Sequence, residues 1–150
     1  EDPQNLGAIV RSAEGAGADG LILPERRSAG LTETVDTVSA GALEHLLVAR
    51  VTNLVRTMDE LKEKGLWLVG AEGSGDEPWY SFDYTGPVGI VLGSEGRGLR
   101  PLVRKTCDKV LAIPLAGKVG SLNVAAAAAV FFFELVRQRR GFGDHPRSLR

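Results

Sequence analysis

Residues 88–98 read Val-Gly-Ile-Val-Leu-Gly-Ser-Glu-Gly-Arg-Gly. The first five are apolar without alternation, the pattern of a strand covered on both faces, and three glycines follow within the next six. Leu66-Trp-Leu-Val-Gly70 and Val110-Leu-Ala-Ile113 repeat the pattern, with Gly20-Leu-Ile-Leu-Pro24 and residues 47–51 as further short strands. Helical periodicity fills the intervals. Leu6, Ile9, Val10 and Ala13 predict a helix over 6–16 behind Asp2, Pro3 and Asn5, and a second helix is expected near 34–46. Val55, Met58 and Leu61 line one face of a third, with Arg56, Asp59, Glu60 and Lys62 opposite, Thr52 or Asn53 as cap and Gly65 as stop. The last helix is expected over 122–139. Apolar strands alternating with helices predict an α/β fold, a parallel sheet with helices on both faces. It forms one domain over 1–140, followed by a polar tail at 141–150.

A chain of 150 residues, 43% hydrophobic and 25% charged, is sized for one soluble domain. Its longest apolar run, 124–133, is half of the roughly 20 residues a membrane-spanning helix needs, so no membrane span is expected. That run is apolar all round and must be covered by this chain or by a second copy. The lone Cys107 excludes an internal disulfide and a cysteine-rich zinc site, and fits a reducing compartment such as the cytoplasm. His45 and His145 have no partner at metal-ligand spacing, so no metal is expected. The net charge of −1 is a cancellation: residues 1–96 hold 7 Lys/Arg against 16 Asp/Glu, and residues 97–150 hold 11 against 3. A basic face for an anionic polymer and a solvated terminal helix both produce that asymmetry.

In open α/β sheets ligands bind beyond the carboxyl ends of the strands, which points to the loops at 93–98 and 114–121. Neither is a phosphate loop. Gly117-Lys118 is followed by Val119 where a Walker loop needs Ser or Thr, and the glycines of 93–98 reverse the dinucleotide spacing. Glu95 would also repel a phosphate. A nucleoside held by backbone groups suits the first loop better, and a plain tight turn is the alternative. Asn5 sits at the mouth of the first helix. Arg11, six residues on and about 120° round the helix from it, lies among small and apolar neighbours, where a guanidinium needs an anion or an edge. Ser121-Leu-Asn123 heads the last helix, with Ser121 a natural N-cap.

Three segments together resemble the motifs of the SpoU/TrmH RNA 2'-O-ribose methyltransferases of the SPOUT class. They are Asp2-Pro-Gln-Asn-Leu-Gly-Ala-Ile-Val-Arg-Ser-Ala13, Gly89-Ile-Val-Leu-Gly-Ser-Glu-Gly-Arg-Gly-Leu99 and Ile113-Pro-Leu-Ala-Gly-Lys-Val-Gly-Ser-Leu-Asn-Val124. The similarity runs through nearly the whole chain and is nearest to members that methylate a guanosine of 23S ribosomal RNA. It implies an α/β knot, a parallel domain whose carboxyl-terminal part is threaded into a deep trefoil. S-adenosylmethionine would be held there by Gly93, Ile113 and Leu122, with Leu92, Pro114 and Ala116 nearby. It further implies a homodimer, an RNA substrate, and Arg11, Asn5, Glu95, Ser121 and Asn123 as catalytic-site residues. Arginines 97, 100 and 104, Lys105 and the 137–140 cluster are candidates for RNA backbone contacts. Transfer RNA enzymes, resistance enzymes that modify ribosomal RNA, and a non-catalytic RNA- or nucleoside-binding module are the alternatives. Relatives usually carry an apolar strand before the Asp-Pro-x-Asn segment and often an amino-terminal RNA-binding domain, so the chain is expected to be a catalytic domain lacking both.

Overall fold

The computed structural model describes residues 2–25, 33–94 and 96–140. In chain order these form helix α1 (Pro3–Gly15), strand β1 (Gly20–Pro24), helix α2 (Glu33–Val38), strand β2 (Leu47–Val51), helix α3 (Leu54–Glu63) and strand β3 (Trp67–Ala71). A two-residue strand β4 (Glu77–Pro78), strand β5 (Val88–Leu92), helix α4 (Pro101–Thr106), strand β6 (Lys109–Ala112) and helix α5 (Val124–Arg140) complete the set. The polar loop from 26, Glu95 and the tail at 141–150 lie outside the described residues.

Local chemistry accounts for the helix ends. Asp2 caps α1 by accepting from the Gln4 amide at 2.8 Å, with Pro3 at a first-turn position where its missing N–H costs nothing. Asn53 does the same for α3 through the Arg56 amide at 3.0 Å, and Gly65 (φ +99°) leaves that helix in the left-handed region. The helix expected near 34–46 breaks in two. Ala40 (φ 56°) and Gly41 (φ 79°) turn the chain left-handed, and a 3-10 turn, Ala42–His45, follows. Helical periodicity continues across that turn because both pieces bury apolar residues on the same cluster, so sequence spacing alone does not reveal the break.

The four strand ladders among the described residues are all parallel, as expected. They form two sheets, β1–β2 and β4–β6–β3–β5, and no ladder joins them among the described residues. The centre of the larger sheet matches the expectation of a strand covered on both faces. Leu68 of β3 packs with Met58, Leu99 and Val103 on the side of α3 and α4, while Val69 packs with Tyr84, Leu111 and Phe131 under α5. A third cluster joins Leu6, Val10 and Ala13 of α1 to Leu23 and Val35. The outlying strands differ from expectation: β5 is only half-buried along its length and β2 is largely exposed.

The buried surface of α5 also carries polar groups. Glu134, 9% exposed, accepts two hydrogen bonds from Arg137, at 2.8 and 2.9 Å, and one from Gln138 at 2.7 Å. Gln138 donates to the Phe82 carbonyl and accepts from the Tyr84 amide, tying α5 to the connection before β5. The Arg137 hydrogen bonds hold the Glu134 carboxyl below its ordinary range, against burial, which pushes it up. A depressed native carboxyl stabilises the fold fully above its unfolded value of about 4.3, and that contribution disappears as pH falls through the native value. Urea midpoints of the full-length protein are expected to drop on acidification, and Glu134→Gln is expected to drop less steeply from a lower starting midpoint. Parallel acid limbs for the two proteins would contradict this.

Candidate active site

Strand β3 lies between β5 and β6, and after the short edge strand β4 the chain pairs first on one side of β3, as β5, and then on the other, as β6. That reversal is a topological switch point, where the loops beyond parallel strands separate and leave a crevice. The loops after β3, β5 and β6 therefore emerge side by side at one edge of the sheet.

The loop after β5 is closed on itself. Ser94 donates from its amide to the Gly98 carbonyl at 3.3 Å and accepts from the Gly98 amide at 3.0 Å. A Cβ on Gly93 would overlap the Gly98 carbonyl, so this glycine is required by space, while Gly96 (φ +81°) and Gly98 (φ +67°) are required by conformation. A cleft of about 350 Å³ opens beside it, lined by Asp2, Asn5, Leu6, Ile9, Gly93, Ser94, Arg97 and Val124. Parts of the first, second and third motifs thus meet at one cleft although 118 positions separate Asn5 from Asn123.

A side-chain hydrogen bond joins the two ends of that span, with Asn123 Nδ2 donating to Asn5 Oδ1 at 2.9 Å. The same Asn123 caps α5, its Oδ1 accepting from the Ala125 and Ala126 amides at 2.9 and 3.1 Å. The cap is therefore Asn123, not the expected Ser121, which is exposed before the helix. An amide side chain caps with its oxygen and extends a separate donor nitrogen towards α1, beyond the reach of the shorter serine hydroxyl.

The other expected residues are less close. Arg11 is exposed on α1, outside the lining of this cleft, and pairs with no carboxylate among the described residues. Leu92, Ile113, Pro114, Ala116 and Leu122 fall on or next to the switch-point loops and do not line the cleft, and most of 114–123 is solvent-exposed. Expected RNA contacts are partly used up within the fold. Arg104 pairs with Glu72 at 2.7 Å, Arg137 with Glu134, and Arg139 donates to the Tyr84 and Gly86 carbonyls. Arg97, Arg100, Lys105 and Arg140 remain exposed and unpaired among the described residues. Glu72, at the carboxyl end of β3, was not among the expected site residues. Its signal in the sequence is faint, a single carboxylate directly after a buried strand. Cys107 is half-buried with its thiol pushed up to about 11 by burial, as befits a structural cysteine.

Residues 1–133 match the model of a family described as the SpoU rRNA methylase family. The chain is 50% identical over 139 residues to a 23S rRNA (guanosine-2'-O-)-methyltransferase RlmB of Shewanella oneidensis, covering 93% of this chain and 56% of that protein. It is 52% identical over 145 residues to an uncharacterized tRNA/rRNA methyltransferase of Synechocystis sp., covering 97% of this chain and 37% of that one. The chain thus spans between about a third and three-fifths of the curated relatives described. Among solved structures it resembles the SpoU methyltransferase AviRb of Streptomyces viridochromogenes in complex with AdoMet, with a TM-score of 0.86, 35% identity, and coverage of 93% of this chain and 57% of that one. A TrmH/SpoU tRNA modifying enzyme of A. aeolicus gives a TM-score of 0.84 at 29% identity, covering 93% and 71%. The fold is accordingly the α/β knot that the sequence led us to expect.

Proposed function

The chain belongs to the SpoU rRNA methylase family, and from that premise we propose that it is the catalytic domain of an S-adenosylmethionine-dependent RNA 2'-O-methyltransferase acting on a guanosine of 23S ribosomal RNA. The observation that carries this reading is the cleft at which Asn5, Gly93 and Val124 meet, with Asn123 bound to Asn5 at its rim. Its volume of about 350 Å³ lies within the range of small-molecule sites, and it is lined by apolar Leu6 and Ile9 and polar Asn5 and Ser94.

The residues at the switch point fit the cofactor. A tight glycine loop and exposed backbone groups after β6 suit a nucleoside without phosphates, and no cluster of anion-binding side chains is needed. Gly93, Ile113 and Leu122 are assigned to hold it, with Leu92, Pro114 and Ala116 alongside. When bound, S-adenosylmethionine supplies an electrophilic methyl group on a sulfonium.

A ribose 2'-hydroxyl is a poor nucleophile, so the chain must orient it and stabilise charge as its proton leaves. Asn5 and Asn123 form a rigid amide pair at the cleft, and Ser121 and Glu95 are assigned to keep the motif loops in register. Arg11 does not serve as the base, because guanidinium stays protonated. Its role is to hold a neighbouring phosphate and offset the developing oxyanion. Arg97 at the cleft, with exposed Arg100 and Lys105, adds affinity for the RNA backbone without reading sequence.

We extend the proposal to a homodimer. Val119 is 76% exposed and Phe133 47%, with Leu122 and Leu115 also open, leaving much of the third motif and one face of α5 uncovered in a single chain. A substrate in ribosomal RNA places the enzyme in the cytoplasm, and no helix among the described residues is long and apolar enough to cross a membrane.

Incubating the full-length protein with methyl-labelled cofactor and ribosomal RNA lacking the modification tests the activity. Label is expected on a guanosine ribose. Label on transfer RNA instead would change the substrate, and cofactor or RNA binding without label would favour a binding module. Light scattering at micromolar concentration is expected to give a dimer mass, which a monomer mass would contradict.

A further inference from the structure

The loop after β5 closes through its own backbone, but its far end is fixed by a group from another strand. Glu72 lies one residue past β3 with its side chain only 16% exposed. Its Oε1 accepts from the Leu99 amide at 2.9 Å, immediately after Gly98. Its Oε2 accepts from Arg104 Nε of α4 at 2.7 Å and from Ser74 Oγ at 2.8 Å. A Cβ on Gly98 would meet Glu72 Oε1, so the loop backbone is pressed directly onto the carboxylate. Glu72 is also held from behind, its amide donating to the Leu111 carbonyl of β6 at 3.1 Å.

One carboxylate thus joins the loop after β3, the end of the loop after β5 and the helix that follows, with its main chain pinned to β6. We propose that Glu72 is a positioning residue for the cofactor, the joint that locks the 93–98 loop in the conformation that holds S-adenosylmethionine. The inference rests on the functional reading above, in which that loop takes the cofactor. Glu72 acts through the loop backbone. Without it, Leu99 loses its acceptor, Arg104 loses its anion, and the loop must be ordered by the ligand at the expense of affinity. Burial works against the carboxylate, but its hydrogen bonds from Arg104, Ser74 and the Leu99 amide outweigh this and keep it ionised below its ordinary range. Both acceptors therefore remain available at neutral pH.

Isothermal titration of S-adenosylmethionine into the full-length protein tests this, paired with methyl transfer at saturating cofactor. Glu72→Gln keeps the shape and one acceptor but loses the charge facing Arg104, and is expected to raise the cofactor Kd about tenfold, equivalent to ~1.4 kcal/mol. Glu72→Ala, which removes both acceptors, is expected to raise it further, while kcat at saturating cofactor falls by less than about threefold. Arg104→Met reaches the same joint from the other side and is expected to add little to Glu72→Gln, as coupled residues do. A purely structural role predicts fewer competent sites at unchanged Kd, and that result, or wild-type Kd in both Glu72 variants, would overturn the proposal. Failure of the unaltered protein to bind the cofactor would instead remove the functional reading, and this inference with it.

Discussion

Arg11→Ala is expected to lower methyl transfer by about 10² to 10³ while leaving the Kd for S-adenosylmethionine within about twofold, the loss seen when one donor to a developing oxyanion is deleted. The expectation follows from where Arg11 sits. It is exposed on α1, six residues beyond Asn5, and no carboxylate among the described residues neutralises it. With no carboxylate partner among the described residues, that charge is available to an anion such as an RNA phosphate. Truncating an exposed side chain that has no partner among the described residues changes stability by only about 0.5 kcal/mol, so folding and function are expected to separate at this position. Single-turnover transfer with excess enzyme, combined with cofactor titration, measures both quantities. Equal losses in rate and in cofactor affinity would overturn the role given to Arg11. Arg11→Lys keeps the charge without the planar fork and is expected to recover only part of the rate.

Gly93→Ala is expected to weaken cofactor binding by about 10- to 100-fold, the effect of roughly 1–3 kcal/mol of overpacking carried entirely by the binding loop. Gly93 does not need a left-handed backbone; it needs the absence of a side chain. The added methyl would strike the Gly98 carbonyl and come within 2.7 Å of the Leu99 nitrogen, and these are main-chain atoms that cannot swing aside as a flexible side chain would. Relief requires opening the Ser94–Gly98 pair or drawing Leu99 off Glu72. Gly86→Ala serves as a control, since a Cβ there meets nothing within 4 Å. Titration of the two variants should separate them by at least about tenfold, and wild-type affinity in Gly93→Ala would show that the loop is not the cofactor's seat.

The residues legible from sequence were those whose role is local. Strands β1 and β5 begin and end where unalternating apolar runs meet glycine or proline, and Asn53 and Gly65 bound α3 as turn chemistry requires. The family was recognised because the residue types and order of the three motifs carry the resemblance. What failed involved partners distant in sequence. Ser121 is as good a cap as Asn123 when only the helix is considered, and the choice turns on Asn5, which the fold brings from the other end of the chain. The basic surplus from residue 97 onward leaves a basic face and a solvated terminal helix both open, with its arginines as candidates for RNA contacts. Three of its arginines are instead held by Glu72, Glu134 and the carbonyls of Tyr84 and Gly86. Glu72 gave only a faint signal for the same reason, since two of the groups that bind its carboxylate, the Leu99 amide and Arg104, lie 27 and 32 positions away.

The sequence by itself determined the α/β class, the parallel strands and the family, because periodicity, capping and motif order are properties of neighbours along the chain. Only the tertiary structure decided which amide pair joins the motifs, which cations remain free, and which carboxylate locks the loop after β5. Those outcomes depend on strand order, with β3 between β5 and β6, and on the packing of α1 against α5, which bring together groups that linear spacing leaves apart.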